Sequence, residues 1–417
     1  MTNDPNSPLL AAKDVSHDTP DSLRQWAMNL RSSLSSPRQL FHRQCHSLKM
    51  RLAKWPAKYL CHLYDRGKGP AARLLRVFTA PHAPPRPAHR LLLPSTAIPW
   101  AEPKLFVPSG GADMVLSRMK TDGGRETCPA GILRADRVDV SFPIGMHWWE
   151  GRLFEEAFLN SNALTNPKYV LDLQRIRFSR KQRLEEGVLL TMPWHHNFYH
   201  WLTEILPRLT LVEMAGDLSH LPLFVPELSP GYVKASLGLC GVLDRVRFVP
   251  NGVYRAERLH IPTRLALGCD MAPAAVEWLR RSMPKAAQAA KRRLYISRAD
   301  ARIRFVANEA ELQPLLAEHG FETVNMSDYS LEEQIRLFRE AEFVIGSHGA
   351  AFAHLVFMER GGTFVELFEP GFFNRCYHRI ASLLELDYGF LVGEKKGLGF
   401  SIDPVELRGV LERSRKP

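Results

Sequence analysis

The sequence lacks any run of about 18 to 20 consecutive apolar residues, the length that a membrane-spanning helix requires. Its first twenty residues are polar and acidic, without the apolar segment of a secretory signal peptide. These absences predict a cytoplasmic protein. The six cysteines show no CxxC or Cys/His spacing, which argues against a zinc site or a disulfide framework. We therefore predict reduced thiols that serve mainly in packing.

Common phosphate-binding and metal-binding motifs are also absent. The chain contains neither a Walker A sequence nor a GxGxxG motif. It contains no Asp-x-Asp triplet, the carboxylate pair that often holds a divalent cation against a diphosphate. If a protein without these motifs binds a diphosphate leaving group, arginine side chains and a helix N-terminus would have to stabilise its negative charge. The sequence thus predicts chemistry with no obligatory metal and no further cofactor.

Positive charge is concentrated near the start of the chain. Residues 24–90 hold fourteen Lys or Arg against one acid, Asp65, in a protein of net charge +11. The bases alternate with apolar and aromatic residues, which is typical of an amphipathic helix at an anionic membrane surface. A solvated helical face or a basic tail fits the same composition. No nucleic-acid-binding motif accompanies the charge, so we predict peripheral attachment to the inner face of the cytoplasmic membrane and no nucleic-acid partner.

A proline-rich segment at residues 81–87 predicts a linker after this basic region. From Gly187 onward, strand-like and helical patterns alternate, which indicates an α/β fold with βαβ units and parallel strands. Strands are predicted at 188–192, 221–225, 245–249, 293–297, 321–325, 343–346 and 363–367, and helices at 196–215, 308–319, 331–341, 350–358 and 374–386. The expected parts are a basic extension (1–90), an N-terminal α/β domain (91–270), a C-terminal Rossmann-like domain (271–400) and a C-terminal helix or tail (401–417).

The strongest local pattern is a small-residue turn that follows an apolar strand and precedes a predicted helix. Glycines let the backbone approach a ligand, and free N–H groups at a helix start attract phosphate. The candidate diphosphate-binding residues in this turn are Ser347, His348, Gly349 and Ala350. A tight structural turn with a hydrogen-bonded histidine fits the same residues.

Arginines follow the strand predicted at 293–297, where a parallel sheet places its ligand-binding loops. Arg298 and Arg304 are the candidates for bidentate contacts to a diphosphate, in preference to Arg302 between them. Solvation of any one of these side chains is the alternative. On a later predicted strand, Glu366 could accept hydrogen bonds from a ribose diol.

Residues 194–204 place three histidines, an asparagine and a glutamate near the start of one predicted helix. His200 and Glu204 are four residues apart, so they share a helical face and could together accept a proton from a hydroxyl group. Asn197 and Tyr199 are expected beside that hydroxyl group. His196 and His200 also have the spacing of metal ligands, but there is no HExxH and no third ligand. Packing of an aromatic-rich helix is the structural alternative.

These motifs, in this order, resemble glycosyltransferase family 61 over residues 187–393. The matching positions are 197–201, 204–208, 295–298, 308–309, 334, 341–357 and 366. The resemblance implies a GT-B arrangement of two facing Rossmann-like domains, in which the C-terminal domain holds the donor and the acceptor enters from the N-terminal domain. It also implies inversion at the anomeric carbon without an obligatory metal.

Together, the candidate residues and the resemblance predict a hexosyl- or pentosyltransferase (EC 2.4). The expected donor is a nucleotide sugar, UDP-linked, and the expected acceptor is a hydroxyl of a surface polysaccharide or glycolipid in cell-envelope biogenesis, such as a capsular polysaccharide. Either His200 or Glu204 would act as the base. The alternatives are another polysaccharide-modifying reaction, such as pyruvyl transfer, and a non-catalytic scaffold with a glycosyltransferase fold.

Overall fold

The computed structural model describes residues 88–414, apart from 109, 121–125, 150–175, 177 and 268. The proline-rich linker and nearly all of the predicted basic extension lie outside the described residues. Within them, no helix is long and apolar enough to cross a membrane.

The described strands and helices alternate most regularly after residue 290. The strands are β1 (Ala88–Leu93), β2 (Leu105–Phe106), β3 (Ala130–Phe142), β4 (Met146–Trp148), β5 (Gln182–Leu184), β6 (Gly187–Leu189), β7 (Leu223–Pro226), β8 (Val246–Val249), β9 (Gly252–Pro262), β10 (Ala266–Leu267), β11 (Asp270–Met271), β12 (Arg292–Ser297), β13 (Phe321–Asn325), β14 (Ala341–Ser347), β15 (Thr363–Phe368), β16 (Asp387–Val392), β17 (Glu394–Lys396) and β18 (Gly399–Ser401). The α-helices are α1 (Gly110–Lys120), α2 (Phe198–His200), α3 (Leu209–Ala215), α4 (Gly231–Leu239), α5 (Pro273–Ser282), α6 (Glu309–Glu318), α7 (Leu331–Arg339), α8 (Cys376–Leu383) and α9 (Pro404–Arg413). A π-helix spans Trp201–Ile205, and 3-10 helices span Leu206–Arg208, Leu243–Arg245, Met326–Asp328 and Ala350–Phe357.

The N-terminal half is built on a mixed sheet with the strand order β1-β3-β9-β6-β7-β8, and with β4 and β5 beside β3 and β9. Strands β6 and β7 are buried along their whole length. Their sequences are short continuous apolar runs, as is typical of central parallel strands. The strands predicted at 188–192, 221–225 and 245–249 are confirmed, with ends shifted by up to three residues. The antiparallel strands β1, β3 and β4 depart from the Rossmann-like sheet expected for this half.

The C-terminal half is built on a parallel sheet with the order β13-β12-β14-β15-β16-β2. The predicted alternation of strands and helices is confirmed here, except that residues 350–357 form a 3-10 helix where an α-helix was expected. Two further features cross the predicted boundaries. Strand β2 comes from the stretch assigned to the N-terminal domain, and α9, in the stretch expected to be a C-terminal helix or tail, packs on β16 and β2 of the C-terminal sheet.

Parallel pairing decides where the candidate residues meet. Strand β14 lies between β12 and β15, so the loops that follow these three strands leave the sheet at one edge. In the other half, the chain leaves β6 and enters a continuous helical segment, residues 198–215, that we call the site helix. Its buried side chains and those of the Ala350–Phe357 helix and α8 belong to one apolar core. The site helix is therefore packed directly against the elements that carry the second group of candidates.

Candidate functional site

The first candidate pair lies on the site helix. The Nδ1–H of His200 donates to the Oε2 of Glu204 over 2.9 Å. The imidazole is 26% exposed, whereas the Glu204 side chain is only 4% exposed. Asn197 caps the helix, because its Oδ1 accepts from the backbone N–H of Tyr199 at 3.0 Å. The pair thus consists of an accessible imidazole and a buried carboxylate that orients it.

A widened turn places Glu204 above a buried arginine. Glu204 belongs to the π-helix, and Pro207, which has no N–H to donate, follows in the next turn. The Nε of Arg208 donates to the Glu204 carbonyl over 3.0 Å, and its Nη1 donates to the Pro262 carbonyl over 3.1 Å. Burial lowers the pKa of Arg208 to about 10, and the Glu204 carboxylate opposes that effect. The hydrogen bonds of Arg208 therefore hold this turn in place, and its positive charge offsets the negative charge of the Glu204 carboxylate.

The second candidate group begins in the loop after β12. Arg298 and Arg304 are partly buried, and neither forms an ion pair with a carboxylate of the described residues. The Nε atoms of both side chains are buried without a hydrogen-bond partner among the described atoms. The Arg304 guanidinium lies over the Phe372 ring at 4.5 Å from its centroid. Burial, followed by the neighbouring Arg304 cation, lowers the pKa of Arg298. Arg302 is exposed.

The loop after β14 packs on these arginines. Ser347 Oγ donates to the Arg304 carbonyl over 2.6 Å, which ties the two loops together. Gly349 is the N-cap of the 3-10 helix that begins at Ala350, and a Cβ at position 349 would stand 2.8 Å from Cζ of Arg298. A side chain there would displace the guanidinium. Gly349 thus makes room for a cation beside the start of a helix.

His348 is held by a carboxylate from the neighbouring strand. Its Nδ1 donates to Oε1 of Glu366, and the Tyr388 hydroxyl donates to Oε2 of the same carboxylate over 2.9 Å. Glu366 has no exposed surface and His348 has 6%. Because both oxygens of Glu366 are engaged beneath His348, the direct contact with a ribose that we expected for Glu366 does not fit its position. The sequence reasoning also missed Tyr388, whose place was visible only once β15 and β16 were paired.

Aromatic rings connect the two groups. Tyr199 meets Tyr377 of α8 edge to face at 5.7 Å between ring centroids, and Tyr377 lies 4.8 Å from the His348 ring. Tyr199 was expected beside the acceptor hydroxyl group, but its side chain is buried, with 8% exposed. Its hydroxyl has no hydrogen-bond partner among the described atoms, and burial raises its pKa well above the usual value. Tyr199 is thus neutral and buried. We call its contact with Tyr377, between the site helix and α8, the joint between the halves.

No group of three or more His, Cys, Asp or Glu in the described ranges is arranged to hold a metal ion. The absence of an obligatory metal remains a prediction from the sequence.

A cavity of about 730 Å³ lies elsewhere, against α5 and the end of α7. Two of its arginines donate hydrogen bonds to backbone carbonyls at helix ends. Arg280 Nη1 donates to the Val356 carbonyl over 3.1 Å, and Arg339 Nη2 donates to the Arg280 carbonyl over 2.6 Å. Such contacts satisfy the free carbonyls of helix C-termini. The candidate site is therefore the region between His200 and His348.

Two arginines without a carboxylate partner among the described residues lie at the edge of a parallel sheet, and a histidine–carboxylate pair lies on the helix packed against it. These are the features of a group-transfer enzyme. Residues 198–365 match the family model described as Glycosyltransferase 61. This match confirms the predicted resemblance to glycosyltransferase family 61 over residues 198–365 and supports a glycosyltransferase. The matched region contains the His200, Arg298 and His348 groups and ends one residue before Glu366. No curated protein matched the chain.

Proposed function

We propose that the enzyme transfers a sugar from a nucleoside diphosphate donor to an acceptor hydroxyl in one inverting displacement, without an obligatory metal. The observation that carries this proposal is the pair Arg298 and Arg304. Two cations without carboxylate partners lie beside His348, at the edge of the sheet opposite the accessible His200.

The donor side is assigned to the C-terminal half. Bidentate guanidinium contacts suit a diphosphate, and a preorganised cation stabilises the negative charge that develops on the leaving group. Arg298 and Arg304 would provide these contacts, and His348 would add a hydrogen bond from its Nε2. Glu366 holds the opposite nitrogen of that ring, so we assign it a positioning role. The uridine identity of the nucleotide is part of this proposal, and the donor panel below tests it.

The acceptor side is assigned to the site helix, with His200 as the base. Its Nδ1 is occupied by Glu204, which leaves Nε2 as the atom that can accept a proton. Burial of Glu204 beneath the imidazole argues against a direct contact between this carboxylate and a large acceptor. Histidine suits this task because its ordinary pKa lies near neutrality.

The displacement then follows from these positions. The Nε2 of His200 takes the proton of the acceptor hydroxyl while the oxygen attacks the anomeric carbon. The bond from that carbon to the diphosphate oxygen breaks, and its electron pair leaves with the diphosphate beside Arg298 and Arg304. A single attack from the face opposite the leaving group inverts the configuration.

The domain arrangement, the acceptor and the membrane attachment are part of the same proposal. Two sheets whose elements share one apolar core support a GT-B arrangement, in which the acceptor approaches the half that carries the site helix. We propose a surface polysaccharide or glycolipid as the acceptor. Attachment to the inner face of the membrane through residues 24–90 would bring the enzyme to such an acceptor; these residues lie almost entirely outside the described ranges.

The test is a donor panel. The purified full chain is incubated with UDP-, GDP- and CMP-sugars, and both sugar release and nucleotide binding by calorimetry are measured. We expect binding and slow hydrolysis or transfer with at least one UDP-sugar, unchanged by a chelator. If the chain binds none of these donors, the proposal is wrong. Loss of activity with the chelator would contradict its metal-independent part.

A further inference from the structure

Two cysteines from different parts of the fold meet beside the candidate site. Cys269 lies in the turn between β10 and β11, is partly exposed and has a positive φ of 88°. Cys376 is the first residue of α8 and is buried. The Oδ1 of Asn374 accepts from Cys269 Sγ at 3.5 Å and from the Cys376 backbone N–H at 3.0 Å. One amide oxygen thus accepts from both residues, which places Cys269 and Cys376 side by side.

A buried ion pair keeps these elements together. Asp270, next to Cys269, accepts from the Nε of Arg379 on α8 over 2.5 Å, and both side chains are almost fully buried. The turn is therefore fixed on α8 before any bond forms between the sulfurs. Cysteines whose backbones are held side by side in this way need little movement to reach the geometry of a disulfide.

The two thiols differ in reactivity. The neighbouring Cys376 thiol and the Arg375 cation lower the pKa of Cys269, although its burial opposes them. Burial raises the pKa of Cys376 well above its usual value. Because the thiolate is the nucleophile, Cys269 is the first thiol to react and Cys376 is the thiol that resolves the product.

We propose that Cys269 and Cys376 are a redox modification site that closes to a disulfide in the presence of a low-molecular-weight disulfide such as oxidised glutathione. The Cys269 thiolate attacks one sulfur of the reagent, which releases one thiolate and leaves a mixed disulfide. The Cys376 thiolate then attacks the Cys269 sulfur and releases the second thiolate. Two protein thiols are oxidised and one reagent disulfide is reduced to two thiols, so the exchange is balanced.

The disulfide would link the turn that follows the N-terminal sheet to a helix of the C-terminal sheet. Both cysteines also lie close enough to Tyr199 to act on the pKa of its hydroxyl. We therefore expect oxidation to restrain the joint between His200 and His348 and to lower the transfer rate. This consequence, unlike the disulfide itself, rests on the proposed function.

The disulfide is tested by mass spectrometry, independently of activity. The reduced full chain is incubated with oxidised glutathione, remaining thiols are alkylated, and peptides are mapped. We expect a Cys269–Cys376 crosslink, lighter than the two reduced peptides by two hydrogen atoms and reversed by dithiothreitol. Retention of two alkylated thiols, a glutathione adduct that persists on Cys269, or a crosslink of Cys269 to another cysteine would each overturn the proposal.

Matched variants make the result specific. Cys376→Ser should trap glutathione on Cys269, Cys269→Ser should leave Cys376 alkylated, and Cys128→Ser should retain the crosslink. If Cys376→Ser fails to fold, Cys269→Ser alone decides, because loss of the partly exposed thiol must abolish the crosslink. A crosslink in a chain that binds no sugar nucleotide would uphold the modification site while the proposed function fails.

Discussion

Tyr199 of the site helix and Tyr377 of α8 meet edge to face with their ring centroids 5.7 Å apart. Each ring also lies beside a candidate functional histidine, His200 at 5.3 Å from Tyr199 and His348 at 4.8 Å from Tyr377. Both tyrosines are buried, so the distance between the two histidines depends on close packing of large side chains, which resists small displacements. The joint supports the assignment of one site to both groups.

The first prediction separates the base from the residue that orients it. His200→Ala should lower kcat by about two to four orders of magnitude, the usual contribution of a general base. Glu204→Gln should cause a smaller loss, because the amide oxygen still accepts from Nδ1. Steady-state kinetics with a saturating donor measures both effects. His220→Ala, at an exposed position on the same half, is the control and should leave kcat unchanged. A larger loss in Glu204→Gln than in His200→Ala, with the fold retained, would instead make Glu204 the base.

The second prediction concerns the cations of the donor side. Arg298→Ala and Arg304→Ala should each weaken UDP binding by about 10- to 100-fold, since a hydrogen bond to a charged group contributes about 1.5–3 kcal/mol. Arg302→Ala removes the same charge from the same loop but at an exposed position, so its dissociation constant should stay within about twofold of the original. Calorimetry at fixed ionic strength provides the measurement. Equal weakening in all three variants would point to a general charge effect and not to a diphosphate contact.

The third prediction displaces a cation without removing it. Gly349→Ala places a Cβ against the Arg298 guanidinium, so UDP binding should weaken by about tenfold while the net charge is unchanged. Gly231→Ala is the control, because a Cβ at that position meets nothing within 4 Å. Thermal unfolding should show similar stability for both variants. Unchanged affinity in Gly349→Ala would mean that the position of Arg298 is unimportant for the donor.

Local patterns were sufficient to locate the C-terminal sheet and its loops. Short apolar strands separated by helices of about ten residues predict parallel pairing, and parallel pairing brings the loops with Arg298 and His348 to one edge. Strand β9 was not predicted, because its buried and exposed positions do not alternate regularly. Its antiparallel partner β3 is more than a hundred residues away, and no local signal specifies that pairing.

The contacts within the site were harder to predict. The pattern places Glu366 on a strand, but does not reveal that His348 and Tyr388, 18 and 22 residues away, engage both of its oxygens. The i, i+4 spacing of His200 and Glu204 did predict their contact, since it depends only on helix geometry. Spacing along one element therefore predicted a pair, whereas contacts between elements required the assembled sheets.

A further prediction concerns stability against acid. His354 lies 4.8 Å from the Phe198 ring and 5.3 Å from the Phe338 ring, and burial lowers its pKa to about 4 although its hydrogen bond to the Ala351 carbonyl opposes this. Below about pH 6.5 His354 is protonated in the unfolded chain, whereas in the folded protein it stays neutral down to about pH 4. Stability should therefore be complete above pH 6.5 and fall between these values, by about 1.4 kcal/mol per pH unit for this site.

Urea unfolding from pH 7.5 to 4.5 tests this dependence. His354→Phe keeps an aromatic ring among aromatic neighbours and should flatten the slope by the contribution of one proton. His378, whose pKa burial likewise lowers to about 4, should retain its own contribution in that variant. His220→Ala, at an exposed position, should keep the original slope. An unchanged slope in His354→Phe would show that His354 is protonated in the folded protein.

The last prediction distinguishes the two roles considered for Glu366. If Glu366 orients His348, Glu366→Gln should lower kcat more than it changes the KM of the donor, because the imidazole acts on charge that develops in the transition state. Tyr388→Phe should change kcat in the same direction by up to about tenfold, since it removes one hydrogen bond to the same carboxylate. Tyr254→Phe removes a comparable hydroxyl, bonded to the Pro250 carbonyl at 3.0 Å in the other half, and should leave both constants unchanged. If Glu366 instead contacts a ribose, Glu366→Gln should raise the KM of the donor and leave kcat nearly constant, and Tyr388→Phe should have little effect on either. The split between kcat and KM in these two variants therefore decides whether the carboxylate acts through His348 or on the donor itself.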